Sequence, residues 1–165
     1  MTNELDMPVT GISHGLCRFA RLSRVERRLF LEAVMWSGLF RAVLLLMPFR
    51  RIAAHLGAHM AETPSRVAMP ETRRLAKDVA RAVSRASRHV PWEAKCLVQA
   101  LVGKRMLKRR GIESTLYLGL AKRADHDLQA HAWLRCGDRI ILGGGGLKDF
   151  AVVAIFGTIC HGPKK

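Results

Sequence analysis

Residues 29–49 read LFLEAVMWSGLFRAVLLLMPF, a run too long and too apolar to be left bare in water. As a helix it would extend roughly 30 Å. It must therefore be buried in a core, docked on a partner or membrane surface, or threaded through a bilayer. Two charges argue against threading. Glu32 and Arg41 lie about half a turn out of phase on a helix. Each would cost roughly 2.5–3.5 kcal/mol at the centre of a membrane. A buried or docked helix is the expectation. Just upstream, Ser23-Arg-Val-Glu26 forms a capping box, in which the two side chains satisfy each other's free amides. The helix is predicted to begin there and to stop or kink at Pro48.

The rest of the chain follows from its punctuation. Residues 1–20, with Pro8, Gly11 and Gly15, read as irregular, and they lack the apolar core and cleavage site of a signal peptide. A short helix over 49–56 can stop at Gly57, and 58–69 reads as a loop. Pro70 opens a third helix, since proline suits the first turn. Its apolar stripe is Leu75, Val79, Val83 and Ala86. Arg74, Lys77, Arg81, Arg85 and Arg88 form a second, basic stripe. That stripe is either a solvated face or a docking surface for an acidic partner. A fourth helix follows Trp92 and ends in Lys108-Arg109-Arg110-Gly111, cations in the last turn and glycine beyond it. Strands then take over: 114–120, a hairpin of 130–135 and 140–142 turning at Gly137-Asp138, and a buried final strand over 150–156. Helices first and antiparallel strands after give an α+β fold. We divide it into a helical N-terminal subdomain, 1–69, and a sheet-bearing domain, 70–165.

The 165 residues carry a net charge of +15, which draws polyanions without naming one. Nucleic acid is a poor fit. Aromatic residues are only 6%, no recognition motif is present, and the basic residues are spread over several helices. The four cysteines, Cys17, Cys96, Cys136 and Cys160, include no CxxC pair and no Cys/His pair at zinc spacing. They read as reduced thiols of a cytoplasmic protein, with neither metal nor cofactor expected.

One cysteine stands apart. Cys96 falls in the first turn of the fourth helix, where unpaired N–H groups and the helix dipole stabilise negative charge. Ala100 and Gly103 share its face and are small enough to let a sheet come close beneath it. A nucleophilic thiol also needs a base. His14, His55 and His59 lie in the helical part, His89 precedes Pro91, His126 sits between two aspartates and His161 is in the tail. His131 alone falls inside a strand, and alternation puts it on the same face as Trp133. It is either a structural histidine or a base facing the thiol.

The segments CLVQAL, LKRRGIESTLYLGL and AHAWLRCGDRIILGGGG resemble, in that order, the transglutaminase-like cysteine peptidases of lasso-peptide maturation, papain-like in the broad sense. The likeness extends to 23–57 and to about Gly157. It implies a cytoplasmic peptidase that removes the leader from a ribosomal precursor, with Cys96 as nucleophile and His131 as base. It further implies an ATP-using lasso cyclase as partner. The helical residues before Pro91 do not resemble a leader-recognition domain, so a separate recognition protein is implied, docking on the apolar helix or the basic stripe. Gln99, a possible second oxyanion donor beside the Cys96 amide, points away from Cys96 on a helix and reads as structural. The family's third residue is an aspartate, and Gly143 stands in its place. Asp149, Asp138 or a backbone carbonyl is left to orient the imidazole. The alternatives are a thiol acyltransferase with an amine acceptor and a non-catalytic basic binding protein.

Overall fold

The computed structural model describes residues 22–122 and 128–158. In chain order these form α1 (Arg24–Leu46), α2 (Phe49–Ala53), β1 (Ala58–His59), α3 (Pro70–Ala86), α4 (Cys96–Lys108), β2 (Ser114–Lys122), β3 (Leu128–Cys136), β4 (Arg139–Leu142) and β5 (Ala151–Thr158). The strands make one antiparallel sheet in the order β1-β5-β2-β3-β4. The α+β arrangement anticipated from the sequence is therefore present. The expected irregular stretch 1–20, together with Cys17, Cys160, His14, His126 and His161, lies outside the described residues.

The capping box is in place: the Glu26 amide donates to the Ser23 hydroxyl at 3.2 Å, and the Ser23 amide to the Glu26 carboxylate at 3.0 Å. These bonds hold the Glu26 carboxyl below its ordinary value. At the other end Met47 is extended, because the residue before a proline is barred from helical geometry. By length and composition α1 would suffice to cross a membrane. Its two internal charges are nevertheless spent on the fold. Glu32 pairs with Arg110 at 2.6 Å, and Arg41 with Glu93 at 3.6 Å. Leu29, Ala33 and Ser37 form its buried row, while Leu31, Met35, Leu39 and Leu46 remain exposed. The helix is thus half packed, not enclosed.

Three elements differ from expectation. The helix expected over 49–56 closes at Ala53, after which His55 and Leu56 make single-turn bonds to Ile52 and Ala53. Gly57, at φ +116°, then turns the chain beside Gly157. Residues 58 and 59, expected in a loop, add a two-residue edge strand to β5. The final strand is buried only at its C-terminal end: Phe156 and Thr158 are enclosed, but Val152 and Val153 are about half exposed. An unbroken apolar run does not reveal how much of a strand a covering helix reaches.

α4 supplies that cover. Ala100, Leu101 and Leu107 are fully buried among Leu116, Leu134 and Phe156. At Gly103 a Cβ would come within 2.5 Å of Leu142 Cδ1 and 2.9 Å of Leu134 Cδ2, so glycine sets the helix–sheet spacing. A second fixed point is Arg135. Its side chain donates to the Tyr117 hydroxyl, the Gly137 and Thr63 carbonyls, and the Glu62 carboxylate. This ties the 62–63 segment to β2, β3 and the β3–β4 turn.

Replacing Arg135 with Met leaves buried acceptors without a donor. A loss of about 2–4 kcal/mol is expected, read from the urea midpoint. An unchanged midpoint would show that the network is dispensable.

Candidate functional site

Residues 91–95 deliver the chain to α4, and Trp92 fixes their path. The Trp92 indole donates to the Ser37 hydroxyl at 3.2 Å. Its ring lies over Gly38, where a Cβ would sit 3.2 Å away. Ser37 and Gly38 interrupt an otherwise bulky helix to receive that ring. Gln99 closes the junction from the other side, donating from Nε2 to the Ala94 carbonyl at 2.8 Å. The glutamine thus braces the turn into α4, in keeping with the structural role expected of it.

Cys96 is the first residue of α4, and no side chain caps this end. The amides of Cys96, Leu97 and Val98 have no intrahelical acceptor, so the thiol belongs to the positive end of the helix dipole. Lys95, just before it, is ion-paired with Glu93 at 3.2 Å.

His131 lies on β3 opposite Gly119 of β2. A side chain at 119 would collide with the Trp133 ring at 2.8 Å, so glycine leaves space for the aromatic group beside the imidazole. Trp133 stacks on His131 with ring centres 6.1 Å apart, and Phe150 approaches to 5.1 Å from the loop before β5. Tyr117 extends the stack behind Trp133. The shared face of His131 and Trp133 was foreseen by alternation. Phe150 was not, because it arrives from a loop distant in sequence.

The imidazole is oriented by backbone. His131 Nε2 lies 2.9 Å from the Gly143 carbonyl oxygen. A carbonyl only accepts, so Nε2 carries the proton and, in the neutral ring, Nδ1 is left as the free base. The β3–β4 register shifts between Leu134 and Arg135, and Gly143 adopts φ +71°. Together these turn its carbonyl toward the ring. Asp138 instead pairs with Arg73 and Arg139, each at 3.8 Å, and Asp149 is exposed with no hydrogen bond or ion pair among the described residues. Of the orienting groups considered from the sequence, the backbone carbonyl is the one in contact.

Cys96 and His131 line the same cavity of about 200 Å³. The other walls are Phe49, Leu97, Leu118, Gly119, Leu120, Ala130, Ala132 and Val153. Among the described residues, His131 is the one titratable side chain that lines this cavity with the thiol, and the other walls are apolar. The remaining described histidines serve elsewhere: the His55 and His89 rings bond the Arg51 and Arg85 carbonyls, and His59 packs on Phe156. Such an arrangement suits a thiol nucleophile with one base.

Residues 43–154 match the family model described as the transglutaminase-like superfamily. No curated protein and no solved structure matches the chain.

Two outcomes test this geometry. A Gly143→Asp change brings a Cβ within 2.3 Å of the Ala132 carbonyl at a positive φ. It is expected to lower stability by at least about 1 kcal/mol without raising activity; a more active, equally stable variant contradicts the carbonyl's role. Burial pushes the Cys136 thiol up, so iodoacetamide at about pH 6 should alkylate Cys96 well before Cys136, as read by peptide mass mapping. Equal rates would count against an activated Cys96.

Proposed function

The chain belongs to the transglutaminase-like superfamily, whose members are generally cysteine-dependent enzymes of peptidase or acyltransferase type, and from that premise we propose that it is a cysteine peptidase that removes the leader of a ribosomal lasso-peptide precursor. The observation that carries the proposal is the common cavity of Cys96 and His131, with the ring held by Gly143. The peptidase specificity rests on the resemblance of the motifs around Cys96 and AHAW.

The chemistry proceeds as follows in this reading. His131 Nδ1 takes the Cys96 proton, and the sulfur attacks the carbonyl of the last leader residue. The Cys96 amide, free at the start of α4, donates to the developing oxyanion. The C–N bond breaks as the imidazolium gives its proton to the leaving amine of the core peptide, leaving a thioester on Cys96. Water, deprotonated by His131, hydrolyses the thioester and restores the thiol. An amine in place of that water would make the same site an acyltransferase.

The apolar walls offer a surface for apolar side chains of the peptide next to the thiol. Gly143 fixes the tautomer but carries no full charge, so it stabilises the imidazolium less than an aspartate would. Modest intrinsic activity follows, with presentation of the leader by a separate recognition protein supplying the missing affinity. The core peptide then passes to an ATP-using cyclase.

Incubation with a lasso precursor and its recognition protein, followed by mass spectrometry, tests the assignment. Leader release should vanish in Cys96→Ala and fall by roughly 10²–10⁴-fold in His131→Ala. Release by Cys96→Ala would falsify the proposal, and a stable amine adduct formed in preference to the hydrolysed product would assign acyl transfer instead.

A further inference from the structure

The helical half of the molecule carries a groove that the chemistry at Cys96 does not use. Along α1 the inward row runs Leu29, Ala33, Trp36, Phe40, Val43, Met47. Burial fades along it: Leu29 and Ala33 are enclosed, Trp36, Phe40 and Val43 only partly covered, and Met47 exposed. Opposite the uncovered half, Ile52, Leu56 and Leu101 form a floor. The resulting cavity holds about 620 Å³, within the range of ligand clefts, about 300–1,000 Å³. It is distinct from the thiol's cavity. Cys96 opens α4, whereas Arg105 and Lys108 at its other end, roughly 14–18 Å along the axis, border the groove.

The rim is cationic on both sides. Arg51 and His55 stand on one flank, from α2 and the turn after it, and Arg105 and Lys108 on the other. No aspartate or glutamate lines the groove. Arg51, Arg105 and Lys108 have no ion pair among the described residues. Arg105 lies over the Trp36 ring at 4.8 Å, which holds its charge at the groove edge.

We propose that this groove binds an acidic amphipathic helix of a partner protein. Its apolar face would fill the floor, and carboxylates on its two flanks would pair with Arg51 on one side and with Arg105 and Lys108 on the other. Helix-in-groove recognition has this form, large apolar anchors bordered by matched charge. Exposed Leu39 and Leu46 prolong the apolar surface beyond the groove, which suits an extended segment more than a compact small molecule. A bilayer matches less well, because a flat surface cannot reach Ile52, Leu56 and Leu101 at the bottom of a concavity. The chain's net charge of +15 steers an acidic partner toward it. This inference stands independently of the peptidase reading.

Fluorescence anisotropy with a labelled synthetic helix, leucine and phenylalanine on one face and glutamate on the other, tests it. The intact chain should bind. The double variant Arg105→Glu, Lys108→Glu should bind at least about tenfold more weakly, with an unchanged circular dichroism spectrum. Arg74→Glu, Arg81→Glu on α3 should leave binding unaltered. A peptide with glutamine in place of glutamate should bind weakly. Equal loss in the α3 variant would reduce the effect to the general basic field and overturn the proposal. Equal binding of the glutamine peptide would do the same. Binding to phosphatidylglycerol–phosphatidylcholine vesicles, with none to the peptide, would assign the groove to lipid.

Discussion

At Gly103 the backbone of α4 approaches the sheet so closely that one added carbon would strike Leu134 and Leu142. The rest of the site depends on that contact. Held this close, α4 brings Cys96 over the strand that bears His131, and both open into one apolar cavity. Ala100, fully buried one turn before Gly103, keeps the same spacing along the axis. Dispersion and burial at these small residues do the positioning; no polar bond between α4 and β3 is needed for it.

The helical part of the chain serves that arrangement in a second way. α1 is apolar enough to suggest a membrane, yet its acid and base are used as struts. Glu32 holds Arg110 at the far end of α4, and Arg41 holds Glu93 just before its start. Trp92, bonded to Ser37 and laid on Gly38, completes the clamp. α4 is thus fixed at both ends by one helix and from below by the sheet. An α1 that detached would release the loop that aims Cys96, so helix packing and thiol placement are one property.

Much of this was legible in the chain. The capping box, Pro48, Pro70 and Gly111 each mark a helix end through local sterics or local hydrogen bonds, and each marks it where the structure does. The Gly137-Asp138 turn follows from its turn residues, and the placement of His131 and Trp133 on one face from strand alternation. What escaped is of another kind. Phe150 and Phe49 reach the site from segments far away in sequence, and no period reveals them. β1 is two residues long, too short for alternation to register. The open half of β5 depends on where α4 stops covering the sheet. A backbone carbonyl has no residue identity, so the partner of His131 was readable only as one option among three. The glycine that replaces the expected aspartate was visible, but the φ that turns its carbonyl inward was not.

That replacement changes how the charge must be handled. A carboxylate beside the imidazole does two things: it selects the tautomer and it offsets the imidazolium's charge. The Gly143 carbonyl does the first fully and the second only as a dipole. An ion pair of thiolate and imidazolium would then lean more on the sulfur's side for stabilisation. That side lies at the uncapped start of a thirteen-residue helix, where amides without intrahelical acceptors and the helix dipole favour negative charge. If the site works as proposed, the helix terminus would carry more of the electrostatic load, and the loop at Gly143 would fix direction.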